Sequence, residues 1–270
     1  MTARHPLLDV GRSRPGLATR KFPAVDDRLI AADTGYELID GVLVEVTPCY
    51  EPHGNRHSKL LVLLEAYVVE EYTAACDMLT RASEKSDFAP DACIYPIARD
   101  PETGGRQLEA LAFEVMNTET PNHAGAKARE LIARGVRRVF AIDVNKEHGL
   151  EWSADSDEWE PMDPESAIDD PTLVMPLPVR DLVHNVSTDD AVARALLAKR
   201  NRVLTAQLDG VRTAGKAEAI IAVLVARGLP PTDAQRKTIV ATTDPATIAR
   251  WLAVVATCAS VSELLDAHPG

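Results

Sequence analysis

Aromatic residues are scarce, at 4% of a 270-residue chain. That excludes a surface that reads unstacked bases across an aromatic sheet. No run approaches the roughly 20 apolar residues needed to span a bilayer, so no membrane partner is expected. Cysteine is confined to Cys49, Cys76, Cys93 and Cys258. None of them has C-x-x-C spacing, which argues against a zinc cluster and for reduced thiols in a cytoplasmic protein. The opening "MTARHPLLDVGRSRPGLATRKF" lacks the apolar segment of a secretory signal. Positive charge is also short. A net charge of −12 excludes coating nucleic acid by bulk electrostatics, although a local basic groove remains open. Arg4, Arg12, Arg14, Arg20, Lys21 and Arg28 form either such a patch or a solvated tail.

What is present suffices for a core: 46% of residues are hydrophobic and 26% charged. The pattern divides the chain into an irregular basic arm (1–30), an α/β region (31–165), a connector rich in proline and acid (166–186) and a helical tail (187–270). "YELIDGVLVEV" reads as a hairpin about Asp40-Gly41. "EPHGNRHSKLLVLLEAYVVEEY" is helical, with Leu60, Leu61, Leu64 and Val68 on one face. "PDACIYPIA" and "GRQLEALAFEVMN" read as strands, "HAGAKARELIARG" as a helix stopped by Gly135, and "VRRVFAIDV" as a buried strand. Two short strands, "GLEWS" and "EWEPM", close the region. Strand–helix–strand alternation implies an α/β sheet with a crossover.

The tail opens at Ser187, an N-cap with Asp190 three residues on. Leu197, Leu204 and Val211, spaced by sevens, suggest one long helix with a seam. Helices then follow from Lys216, from "TDAQRK", from "TDPATIARWL" and from "SVSE", where Ser260 and Glu263 form a capping-box pattern. The tail reads as a module for packing or self-association.

One carboxylate breaks the apolar run "LEALAFEVMN": Glu114. Burying a charge is costly unless it is paired or bound to a metal. Asp91 opens the preceding strand, and Lys127 lies in the helix that follows Glu114. If the two strands are neighbours, the carboxylates converge at one end of the sheet. Oxygen donors of this kind suit a hard divalent cation, with the backbone carbonyl of Val115 as a further ligand. Lys127 would place a positive charge near an attacking water or a phosphate. Taken singly, Asp91 is a turn carboxylate, Lys127 a solvated helix lysine and His53 a loop histidine; it is their joint order that points to phosphodiester hydrolysis.

Pro90-Asp91, Glu114-Val115 and the later lysine resemble the PD-(D/E)XK nuclease superfamily. "YELIDGVLVEV", a histidine before a long helix, "PDACIY", "FEVMN" and "AGAKARELIARGVRRVFAIDV" are together similar to the Uma-two family of restriction-endonuclease-like proteins. The resemblance covers roughly residues 30 to 160. It implies a restriction-endonuclease-like α/β core, a central mixed sheet flanked by helices, here with a C-terminal helical extension. It also implies a Mg²⁺ (or Mn²⁺) site, DNA as substrate and a homodimer able to cut both strands. Glu37 matches a family glutamate directed at the site. His53 matches the histidine ahead of the helix, with His57 its rival. Three positions depart from the pattern: Met116 stands where the usual lysine falls, Asn117 replaces a common serine, and no acid precedes Lys127 in "NHAGAK". Two functions follow: a Mg²⁺-dependent endonuclease using Asp91, Glu114, Lys127, His53 and Glu37, or a nuclease-fold binding or regulatory protein without turnover.

Overall fold

The structure, a computed structural model, describes residues 22–30, 35–46, 51–116, 121–184 and 188–267. Arg4, Arg12, Arg14, Arg20, Lys21, Cys49, Asn117 and Ser187 lie outside these residues. The chain divides into two compact units, Met1–Lys199 and Arg200–Gly270. No helix among the described residues is long and apolar enough to cross a membrane.

The first unit begins with the hairpin β1 (Tyr36–Ile39) and β2 (Val42–Glu45). Asp40 and Gly41 both have positive φ, 47° and 80°, as a primed two-residue turn requires. Helix α1 (Glu51–Tyr67) and strands β3 (Tyr72–Cys76), β4 (Thr80–Arg81), β5 (Asp87–Phe88), β6 (Ala92–Pro96) and β7 (Leu111–Met116) follow. The crossover helix α2 (Pro121–Arg134) leads to β8 (Arg138–Asp143), β9 (His148–Ser153) and β10 (Glu158–Pro161). The main sheet has the order β10-β9-β8-β7-β6-β3. Only β7–β8 is parallel among its pairs, so the sheet is mixed. A second sheet has the order β2-β1-β5-β4.

Strand β7 is buried along its whole length. Side chains alternate along a strand, so its two faces meet different partners. Leu111, Phe113 and Val115 join Leu60, Leu64 and Tyr67 of α1 in one core. Ala112 joins Ala128 and Leu131 of α2 in another, and Met116 meets Ala124 of the same helix. Burying Leu131 contributes about 1.5–3 kcal/mol towards fixing α2 on the sheet.

The proline-rich segment after β10 is more than a connector. It forms the pair β11 (Ala167–Ile168) and β12 (Leu177–Pro178) and the helix α3 (Val179–Val183), then gives way to α4 (Thr188–Ala198). Ile168, Leu177 and Leu182, with Ala191 and Ala195 of α4, are buried in the α1-side core. Pro176 precedes β12 and Pro178 ends it, and Pro164 and Pro171 lie in turns, positions that tolerate a missing N–H.

The continuous helix read through Leu197 and Leu204 is broken in the structure. Arg200 takes a φ of +55°, and Asn201 caps the next helix by accepting from the Val203 and Leu204 amides. The second unit consists of that helix, α5 (Arg202–Ala226), with α6 (Asp233–Ala241), α7 (Pro245–Val254) and α8 (Val261–Leu265). The helix expected from Lys216 is thus the second half of α5. Ile220, Leu224, Ile239, Ile248, Trp251 and Leu264 form the unit's own core. At α8 the Ser260 hydroxyl accepts from the Glu263 amide, but Glu263 reaches back to the amide of Ala259 instead of Ser260.

Candidate active site at one end of the main sheet

Register alone assembles the acids. Ala92 pairs with Phe113 in the antiparallel β6–β7 ladder. Asp91 lies one residue beyond that ladder, level with Glu114 on the neighbouring strand. Asp91 and Glu114 therefore meet where β6 begins and β7 ends. Glu114 shares its face of β7 with Ala112 and Met116, the face that α2 covers. Helix α2 buries Ala124, Lys127, Ala128 and Leu131, a helical i, i+3, i+4, i+7 stripe. Lys127 is therefore 4% exposed and not a solvated lysine.

Its Nζ lies 3.4 Å from Glu114 Oε2 and 3.3 Å from Glu37 Oε2, and donates to the Ala89 carbonyl at 2.8 Å. The ammonium also stands 5.7 Å from the centre of the Phe88 ring. Glu37 comes from β1, on the same inward face as Ile39. It accepts the amide of Ala89 at 2.8 Å. Glu37 and Lys127 thus grip the backbone just ahead of Pro90-Asp91, a role for Ala89 that no side-chain reading could give.

Asp91 Oδ2 accepts the amide of Val115 at 2.5 Å, which ties the β6 entrance to the β7 exit. Burial would raise the Asp91 pKa; the His53 ring, the Lys127 charge and the Val115 amide reverse this and hold the carboxyl below its ordinary range. His53 is not in a loop. It lies in the first turn of α1, with Nε2 3.7 Å from Asp91 Oδ1. His57, one turn on, bonds closely through Nε2 to the carbonyl of Asp91. The rival histidines thus share one residue: His53 faces its carboxylate and His57 its backbone. Their rings meet edge to face with centroids 6.0 Å apart.

The Uma2 family model, described as "Putative restriction endonuclease", matches residues 23–183, more than half of the chain. The chain belongs to the Uma2 family. The crystal structure of "a putative nuclease belonging to DUF820 from Anabaena variabilis ATCC 29413" is similar at a TM-score of 0.46 and 14% identity, over 55% of this chain and 89% of that one. No curated protein matches.

In this Uma2 chain, Glu37, Asp91 and Glu114 gather about one lysine. Three carboxylates and one ammonium leave two formal negative charges before His53 is counted. Oxygen donors with unbalanced negative charge fit a hard divalent cation, which Asp91 and Glu114 could hold. Met116, at the position of the usual lysine, is buried against Ala124 and Ala141, so a charge there would have no partner in that cluster. The arginines of "RGVRR" are engaged elsewhere. Arg134 donates to the Pro23 carbonyl, Arg137 pairs with Asp170 at 2.6 Å and Arg138 with Glu151 at 2.6 Å. Asp143 caps a turn by accepting from the Asn145 and Lys146 amides.

Proposed function

We propose that this Uma2 chain is an endonuclease that hydrolyses DNA phosphodiester bonds with Mg²⁺ or Mn²⁺. The observation that carries the reading is the buried Lys127, held between Glu37 and Glu114 at the strand end to which Asp91 is tied. Asp91, Glu114 and the Val115 carbonyl would hold the cation. When bound, it supplies Lewis-acid polarisation of a phosphoryl oxygen.

The chain's own groups do the rest. Lys127 positions the attacking water and meets the charge that develops on phosphate. Glu37, 3.3 Å from Nζ, orients Lys127. His53 stands at the rim beside Asp91, placed to orient water or touch a phosphate oxygen. In the reaction, the bond from the water oxygen to phosphorus forms, the bond to the leaving sugar oxygen breaks, and that oxygen takes up a proton. Cutting both strands of a duplex calls for two copies of the chain acting as a homodimer.

The test is nicking of supercoiled plasmid by the full chain with Mg²⁺, Mn²⁺ or EDTA, beside Glu114→Ala. Nicking that needs metal and is lost in the variant supports the assignment; full activity in Glu114→Ala sinks it. The net charge of −12 favours a second reading, a nuclease-fold binding protein without turnover. Binding of a partner with no metal-dependent cleavage of DNA or RNA would select it.

A further inference from the structure

The row of acids extends one strand beyond the site just described. Cys76 pairs with Ala92 at the end of the β3–β6 ladder, and just beyond it Asp77 leaves the strand with a φ of 49° on the side where Asp91 precedes β6. Cys76 ends β3, an edge strand of the main sheet, and Asp77 follows it. Helix α1 lays His57 over this corner, with Nε2 3.8 Å from Asp77 Oδ1. One ligand atom from each of His57, Cys76 and Asp77 lies within 4.8 Å of the others. Cys76 and Asp77 are exposed, so a cation can reach them.

The donor set differs in kind from that at Asp91 and Glu114. An imidazole nitrogen, a thiolate and a carboxylate suit a borderline or soft cation, whereas an all-oxygen pair suits Mg²⁺. Three protein ligands also leave one tetrahedral position for water. We propose that His57, Cys76 and Asp77 form a binding site for a zinc-class divalent cation, separate from the acids that Lys127 serves. Binding replaces the Cys76 S–H proton with the metal. It also needs the Nε2 lone pair of His57, so the ring proton moves from Nε2 to Nδ1 and the Nε2–H bond to the Asp91 carbonyl is given up.

The experiment uses the full chain stripped of metal and Co²⁺ as a spectroscopic probe. Stoichiometric Co²⁺ should produce a near-ultraviolet thiolate-to-cobalt charge-transfer band with visible bands of four-coordinate Co²⁺. Zn²⁺ should displace them and excess Mg²⁺ should not. Cys76→Ser, an exposed substitution whose folding is checked by circular dichroism, should lose the charge-transfer band. Cys49→Ser and Glu114→Gln should keep it. No band in the wild-type chain, a band that survives in Cys76→Ser, or one lost in Cys49→Ser or Glu114→Gln would overturn the proposal. Because the readout is absorbance, failure here is distinct from failure of the nuclease reading.

Discussion

Lys127 on α2 and Glu114 on β7 bring their charged atoms to 3.4 Å, with both side chains at least 95% buried. Removing one partner of a buried pair leaves the other charge uncompensated, which costs about 3–5 kcal/mol. Lys127→Met should therefore lower unfolding stability by about that amount, because it strands Glu37 as well as Glu114. Adding Glu114→Gln to Lys127→Met should recover part of the loss. Urea unfolding of the two single variants and the double variant measures the coupling; strict additivity would mean that the pair is not energetically linked.

A cation that binds only the folded chain stabilises it by mass action, by about 2.7 kcal/mol at a hundredfold excess over Kd. Mg²⁺ or Mn²⁺ should thus raise the thermal midpoint of the wild-type chain. Asp91→Asn and Glu114→Gln should show no such rise, whatever their midpoints without metal. An equal rise in all three proteins would place the cation elsewhere.

Gly125 sets how closely α2 approaches the sheet. A Cβ at this position would lie 2.9 Å from the outer ring of Trp152 on β9, itself packed edge-on to Trp159 with ring centroids 5.1 Å apart. Gly125→Ala should cost about 1–3 kcal/mol as an overpacked contact. It should also reduce nicking, since Lys127 lies two residues along the same helix. Trp152→Phe removes the ring atoms in the way, so the double variant should regain stability over Gly125→Ala. Chemical denaturation of the two proteins decides this.

The sheet and its crossover were legible because periodicity reports burial. The hairpin at Asp40-Gly41, the buried β7 and the Gly135 stop all follow from local chemistry. Lys127 was legible from its order after Asp91 and Glu114 and from the family resemblance, while its burial follows from the helix stripe. It lies three residues after Ala124 and four before Leu131, both of which are buried. Read singly as a charged residue, it looks solvated. His57, Cys76 and Asp77 carry no such signal. They meet through the β3–β6 register and the path of α1, and sequence spacing encodes neither. The break at Arg200 was hidden for a related reason: the spacing of Leu197 and Leu204 survives a change of helix, and only the backbone at Arg200 and the Asn201 cap report it.

Asp91 gives the pH prediction. Burial raises its pKa, but His53, Lys127 and the Val115 amide outweigh that and leave the folded value below the ordinary one. In the unfolded chain it titrates near 3.9, roughly the model-peptide value. A group with a depressed folded pKa binds fewer protons in the folded state, so its contribution to stability is complete above the unfolded pKa. The contribution is lost as pH falls through the lower, folded value. Wild type should therefore exceed Asp91→Asn in stability at about pH 5, and the margin should shrink below about pH 4. Urea midpoints of both proteins across this range, without metal, measure it. A margin that widened below about pH 4 would mean that Asp91 is protonated more readily in the folded chain, and that His53, Lys127 and the Val115 amide do not hold it as a carboxylate.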